Sequence, residues 1–282
     1  MLAVCGVLLG QEFPEGSVAK IASGFKFTEG PVWSREGFLL FSDIPNNRIM
    51  KLTPGGGTAV FRESSNGANG LAFDAQGRLY SCESATRRVT RTSRSGQIEV
   101  LAERWEGKRL NAPNDIVVRK DGQVYFTDPA FGKEMDTREL DFFGVYHISP
   151  KGQLELVAKP QGRSNGLALS PDGKILYVDN TDERNVRAYD LDKNGKASNE
   201  RVLIEGIEGA PDGMKVDEKG NLYIAAQAVA VYSAEGKPLE KFNIPETPSN
   251  CAFGDADFKT LYVTARSSIY KVRLHVKGAA EE

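Results

Sequence analysis

Six polar residues recur at one offset along the chain. Glu29, Asn69, Asn114, Asn165, Asp212 and Ser249 each stand four places before an apolar or aromatic anchor, respectively Trp33, Phe73, Val118, Leu169, Val216 and Phe253. Carboxylate and amide oxygens with no thiolate or imidazole among them are the ligand type of a hard divalent cation such as calcium, magnesium or manganese. Two carboxylates balance the charge of one such ion. Serine and threonine would line a wet channel equally well, so the choice of Glu, Asn and Asp points to ligation rather than mere solvation. The rest of the sequence offers few other routes to catalysis. With only His147 and His275, a three-histidine zinc site and a His-Glu-x-x-His helix are excluded. Cys5, Cys82 and Cys251 are too few and too far apart for a zinc ribbon, a redox Cys-x-x-Cys pair or a disulfide framework. A Gly-x-Ser-x-Gly nucleophile elbow is also missing. Any chemistry rests on carboxylates, amides and an oxygen-bound metal.

The elements that must position these residues are short strands, since turn signals come at close intervals and no segment sustains the 3.6-residue apolar period of a long helix. The six anchors lie 37 to 51 residues apart, the repeat length of four-stranded propeller blades. A turn glycine follows four places after the anchor in five repeats (Gly37, Gly77, Gly122, Gly173 and Gly220), with Asp257 in the sixth. Leu40, Tyr80, Tyr125, Tyr177, Tyr223 and Tyr262 then mark a second strand. The pattern predicts an all-β, six-bladed β-propeller over residues 16–278, in which the innermost strands line the channel and carry the six polar residues to one mouth. The last repeat is short, whereas Val18-Ala19-Lys20-Ile21-Ala22 lies spare before the first, so this N-terminal segment is expected to pair onto the sixth blade and close the ring.

Residues three past the second-strand markers should surround the same mouth: Asp43, Glu83, Asp128, Asn180, Ala226 and Ala265. Asp43 and Asp128 suit turn capping as well as substrate contact. Glu83, close to Arg87 and Arg88, is assigned to substrate binding together with Arg87 and Asp128, with a surface ion pair as the other reading of Glu83. An insertion from Pro129 to Gly144, with a charged stretch from Lys133 to Glu139, reads as a solvated surface loop rather than a binding lid. Asp190 to Gly195 imitates the start of an EF-hand loop but has Arg201 where the twelfth-position Glu is needed, and reads as a turn between strands.

Composition narrows the partners. The 282 residues hold 36 Lys+Arg against 38 Asp+Glu, a net charge of −2 that leaves no basic excess for a phosphate backbone. The longest apolar run, Ala3 to Leu9, is short of the roughly 18 residues of a spanning helix. A small molecule is the expected partner. Residues 1–15 lack a basic leading segment and an Ala-x-Ala site and read as processed or disordered, with an exported or periplasmic protein favoured over a cytoplasmic one.

Four motifs in order, Phe27-Thr28-Glu29-Gly30-Pro31-Val32-Trp33, Asn111-Ala112-Pro113-Asn114-Asp115, Ser164-Asn165-Gly166-Leu167-Ala168-Leu169-Ser170-Pro171-Asp172-Gly173 and Pro211-Asp212-Gly213-Met214-Lys215-Val216-Asp217, resemble the gluconolactonase, regucalcin and luciferin-regenerating enzyme family. Arg87-Arg88-Val89-Thr90-Arg91 after Cys82-Glu83, and Thr127-Asp128-Pro129, resemble its bacterial gluconolactonase branch, although Ser84-Ala85 stand where that branch is expected to carry His and Gly. The resemblance implies a six-bladed propeller with one catalytic metal in the channel mouth. By motif, Glu29, Asn165 and Asp212 become metal ligands and Asn114 a metal-side or substrate-orienting amide. The implied cofactor is one divalent cation, calcium first, with magnesium, manganese or zinc admitted by the same donors. The implied activity is metal-dependent hydrolysis of small cyclic esters, aldonolactones first, with Asp212 as general base or nucleophile. Three other readings are open. The same site resembles that of diisopropyl fluorophosphatase and could hydrolyse organophosphate or phosphorofluoridate esters, the propeller could bind a peptide or glycan without catalysis, or its calcium could be only structural.

Overall fold

The computed structural model describes residues 16–279; the expectation for residues 1–15 lies outside the described residues. Six four-stranded antiparallel sheets follow one another along the chain, so the structure is a six-bladed β-propeller. The innermost strands are Thr28–Ser34, Ala68–Phe73, Ile116–Val118, Ser164–Leu169, Met214–Val216 and Pro248–Gly254, and each contains its repeat's anchor. In the first blade the second strand, Phe38–Asp43, is buried at every residue, whereas the outermost, Thr58–Glu63, is almost wholly exposed. Strands covered on both faces by neighbouring blades therefore read as apolar runs, and outer strands as mixed ones.

Closure uses the N-terminal strand as the repeat count requires. Ala19–Ser23 pairs antiparallel with Ser268–Arg273, from Ala19 opposite Lys271 to Ser23 opposite Ser268, and supplies the outer strand of the sixth blade. The pairing covers the edge of Ser268–Arg273 and gives the sixth blade an outer strand like the others. Past the last strand, Leu274 and Val276 are buried against the fifth and sixth blades. The chain then ties to inner turns there, with the Gly278 N–H donating to the Phe258 carbonyl and the Ala279 N–H to the Val216 carbonyl, both at 2.9 Å.

The hairpin turns explain the glycine at the fourth position after each anchor. Gly37, Gly77, Gly122, Gly173 and Gly220 have φ between 66 and 87°, a region that costs a side chain about 1 kcal/mol or more. The sixth turn lacks a glycine and carries Asp255 and Phe258 in that region instead. Asp74 and Asp217, directly after their anchors, accept from turn N–H groups and from the buried hydroxyls of Tyr80 and Tyr223, each at 3.1 Å. A tyrosine at the second-strand marker thus buries its ring without orphaning its hydroxyl. Asp192 closes the Asp190–Gly195 turn by accepting from the N–H groups of Asn194 and Lys196, both at 2.8 Å, between strands Asn185–Leu191 and Ala197–Ile204. A two-stranded hairpin before the third blade, Arg104–Trp105 with Lys108–Arg109, has no counterpart in the repeat pattern.

Near the channel the blades are stitched by hydroxyls. The Ser42 Oγ donates to the Asn69 carbonyl at 2.7 Å, Thr127 Oγ1 to the Asn165 carbonyl at 2.6 Å, Thr181 Oγ1 to the Pro211 carbonyl at 2.7 Å and Ser249 Oγ to the Thr28 carbonyl at 2.7 Å. Each tie holds the backbone at or beside a polar residue of the mouth. The closing strand should matter most to stability, because its loss exposes the edge of Ser268–Arg273. A chain starting at Phe25 loses roughly four backbone hydrogen bonds, about 4 kcal/mol, which corresponds to a Tm drop of about 10 °C for a domain of this size. Thermal unfolding followed by circular dichroism checks this; an unchanged Tm would mean that the seam is closed by other contacts.

Candidate active site

The inner strands deliver Glu29, Asn69, Asn114, Asn165 and Asp212 to one mouth of the channel, where they line a cleft of about 730 Å³ with Phe27, Ile44, Pro45, Ala112 and Phe131. Ser249 does not join them. It is buried, and its hydroxyl is spent on the Thr28 carbonyl at 2.7 Å and on Thr264. The sixth blade instead sends in Asn250, whose Nδ2 donates to Glu29 Oε2 at 3.0 Å and lies 3.5 Å from Asp115 Oδ2.

The position after each ring residue explains the substitution. It reads Gly30, Gly70, Asp115, Gly166, Gly213 and Asn250. A Cβ on Gly213 would lie 1.9 Å from Asn250 Cγ, and one on Gly166 would lie 2.2 Å from the Asp212 carbonyl oxygen. Four glycines thus clear the axis and two polar side chains, Asp115 and Asn250, fill it. This second column was legible in the sequence as a period of its own, but an offset chosen for polarity alone passes over a row that is mostly glycine.

A third contributor, Asp179, comes from the second strand of the fourth blade, Ile175–Asn180; its Oδ1 accepts from the Gly166 N–H at 3.0 Å while its buried Oδ2 has no hydrogen-bond partner. Glu29, Asp115, Asp179 and Asp212 therefore form one carboxyl cluster. Burial, then the charge of Asp115, pushes Glu29 up to about 7, against hydrogen bonds from the Gly30 N–H and Asn250. Burial, then Glu29 and Asp179, raises Asp212 well above the usual carboxylate range. Asp179 is raised by burial and by repulsion from Asp115 and Glu29. Such a group must share protons or hold a cation.

Two further observations favour the cation. The Oδ1 atoms of Asn69 and Asn165 are buried without a hydrogen-bond partner, and Asn165 is turned by its Nδ2, which donates to Thr181 Oγ1 at 3.1 Å. A buried amide oxygen without a donor costs about 1 to 3 kcal/mol unless something electropositive meets it. Among the described residues no group of three His, Cys, Asp or Glu has the spacing of a metal site. The candidate set instead mixes two carboxylates, Glu29 and Asp212, with amide oxygens, a fit for a hard divalent cation.

The other residues assigned to substrate stand behind the cleft wall and do not line it. Glu83 is buried and takes hydrogen bonds from Arg88 at 2.6 Å, Thr90 at 3.0 Å, Asn66 at 3.1 Å and Thr86 at 3.2 Å. Arg87, also buried, donates to the Thr137 carbonyl at 3.0 Å and to its hydroxyl. Asp128 accepts from the N–H groups of Asn111 and Ala112, both at 2.8 Å, and burial still pushes it up to about 7. Asp43 and Asn180 likewise cap backbone N–H groups, and Ala226 and Ala265 are buried. The strand ends do reach the mouth, but the buried carboxylates there are consumed by neighbouring backbone and side-chain donors, for Asp43 and Asp128 by N–H groups of the segment that leads into the blade. Ser84 and Ala85, the departure from the bacterial gluconolactonase pattern, do line the cleft.

The insertion is an exposed loop as expected between Gly132 and Glu139, but it also borders the cleft. It runs through a 3-10 turn, Gly132–Thr137, and places Phe131, Lys133 and Glu134 in the cleft wall. Arg87 holds it at Thr137, and the N–H and guanidinium of Arg109 hold it at Glu139. Charged residues in a loop read as solvated when only its composition is known; here the Thr137 carbonyl and the Glu139 carboxylate tie the loop to Arg87 and Arg109 beside the cleft.

Comparison with known proteins agrees with the geometry. The chain is 36% identical to a gluconolactonase of Zymomonas mobilis, over 92% of this chain and 81% of that one. It is 28% identical to the pentonolactonase XacC of Haloferax volcanii, over 84% and 80% of the two chains. A solved gluconolactonase of Xanthomonas campestris superposes with a TM-score of 0.87 at 32% identity, covering 94% of this chain and 92% of the other. The profile of the SMP-30/Gluconolactonase/LRE-like region matches residues 27–267, which takes in every ring residue from Glu29 to Asn250. With the matched region taking in the inner strands of all six blades and the polar mouth they build, the chain belongs to the SMP-30/gluconolactonase/LRE-like family.

Proposed function

We propose that this protein is a lactonase, a carboxylic ester hydrolase whose substrates are sugar lactones, and that it works with one divalent cation, calcium first among the candidates. The observation that carries the reading is the pairing of two carboxyl groups, the buried Glu29 and the partly buried Asp212, with the partnerless amide oxygens of Asn69 and Asn165 at the floor of an open cleft. Glu29, Asn165 and Asp212 would hold the ion, with Asn114 beside it. Relatives named gluconolactonase and pentonolactonase support the substrate class.

A divalent cation held there supplies Lewis-acid polarisation of the lactone carbonyl and offsets the charge that develops on it. The chain's own residues do the rest. Asp212 is only partly buried and faces the cleft, so its carboxylate can take a proton from water or attack the carbonyl itself. Asn250 fixes Glu29 from the axis at 3.0 Å, and Thr181 fixes Asn165. Asn114, on the segment clamped by Asp128, presents its amide to the cleft and orients the ring being opened. Phe27, Ile44, Pro45 and Phe131 cover the apolar face of a small ring and limit water to the open side.

Asp212→Asn retains one oxygen donor and removes the base. At saturating calcium its kcat for D-glucono-δ-lactone should fall at least about 100-fold, as general-base removal does. Near-normal turnover would favour a structural ion and defeat the mechanism. Glu29→Gln should weaken calcium binding by calorimetry, and stoichiometric binding of unchanged affinity would remove Glu29 from the site.

The pH dependence has a definite sign. Without the ion, Glu29 keeps a proton up to about pH 7, so calcium must displace it below that pH. Calcium affinity should therefore fall up to about tenfold per pH unit below 7, with proton release measurable by calorimetry in buffers of different ionisation enthalpy. Affinity that stays flat from pH 5 to 8 would show that the carboxyl cluster does not meet the ion.

A further inference from the structure

The cleft has a second set of uncommitted polar groups, away from its carboxyl floor. Most polar residues of the wall are tied to the protein. Asn47 Oδ1 accepts from the Gly67 N–H at 2.9 Å, Asn66 Nδ2 donates to Glu83 at 3.1 Å, Ser84 Oγ to the Pro113 carbonyl at 2.6 Å and Thr86 Oγ1 to Glu83 at 3.2 Å. Lys133 and Glu134, from the insertion, are the exception. Both line the cleft, and neither side chain has a hydrogen bond or ion pair among the described residues. Lys133 is the only cationic residue in the lining.

Their backbone is not loose. Phe131, just before them, packs its ring against the Arg163 guanidinium at 4.6 Å, and Arg163 is held by Asp182. Thr137, just after them, is held by Arg87. One ammonium and one carboxylate therefore project from a fixed turn beside an aromatic face.

That combination selects a chemistry. An anionic substituent would meet Lys133 but also Glu134 and the carboxyls of the floor. A neutral polyol suits it better: each hydroxyl both donates and accepts, an ammonium supplies only donors, a carboxylate only acceptors, and an aromatic ring covers the C–H face of a sugar. We propose that Lys133 and Glu134 read the hydroxyl groups of the bound lactone and so set a preference for polyhydroxylated lactones over unsubstituted ones of the same ring size. The proposal rests on the lactonase reading above.

The test compares kcat/KM for D-glucono-δ-lactone and for δ-valerolactone, using the full chain at saturating calcium, in wild type, Lys133→Ala and Glu134→Ala. The wild type should prefer the hydroxylated ring. Each substitution should lower the ratio of the two kcat/KM values about tenfold, through a higher KM for gluconolactone, since a lost hydrogen bond to a substrate hydroxyl is worth about that factor. An unchanged ratio in both variants, or a loss confined to kcat, overturns the proposal and leaves the lactonase reading intact. A wild type that hydrolyses neither lactone with calcium, magnesium, manganese or zinc overturns both.

Discussion

The mutual repulsion of carboxyl groups at the channel mouth is the constraint on which the site depends. The charge of Asp115 raises Glu29, and those of Glu29, Asp179 and Asp115 raise Asp212. A carboxyl whose folded pKa lies above its unfolded value stabilises the fold at low pH and loses that contribution as pH rises through the folded value. For Glu29, between 4.5 and about 7, the loss is on the order of 3 kcal/mol. At neutral pH the chain carries this cost in the place where a divalent ion would remove it.

The scaffold maintains that repulsion by close approach at the axis. Glycines at 30, 70, 166 and 213 let backbones from adjacent blades come nearer than a Cβ permits, and the Gly70 N–H donates across to the Asn114 carbonyl at 2.7 Å. Asn250 occupies the space that Gly213 leaves. It donates to Glu29 and lies near Asp115, so one amide faces two carboxyls from different blades. Hydroxyl ties from Ser42, Thr127, Thr181 and Ser249 set the spacing between blades at the same level. Donor positions fixed by six separate sheets need little reorganisation when an ion or a developing charge arrives.

Behind this floor, the buried ionic groups support the wall. Glu83 gathers Asn66 and Thr86, which line the cleft, onto Arg88 and Thr90; Asp128 clamps the turn that ends in Asn114; Arg87 holds the insertion. Removing one member of such a network leaves the others buried and unsatisfied. These residues reach function through the residues they hold. The insertion, whose composition resembles that of an ordinary exposed loop, supplies Phe131, Lys133 and Glu134 to the cleft lining.

The sequence by itself determined the blade count, the closing strand and five of the six residues at the mouth. Each is a periodic feature: anchor, turn glycine and second-strand marker recur because every blade solves the same packing problem, and the polar offset recurs because every inner strand starts at the same face. Ser249 fits that period as well as Asn69 does. Its hydroxyl is nevertheless drawn to the Thr28 carbonyl across the seam, a bond between residues 221 positions apart, and Asn250 takes the place in the channel. Asp179 enters from a second strand for the same reason, that the space beside Gly166 is open only once the fourth and fifth blades are packed. The roles of Glu83, Arg87 and Asp128 and the ties that hold the insertion depend on which N–H groups and carbonyls come within about 3 Å, a matter of distance between segments and not of spacing along the chain. Local periodicity brings most of these residues to the mouth; only the assembled ring decides that Asn250 and Asp179 join them and which of their atoms are left free.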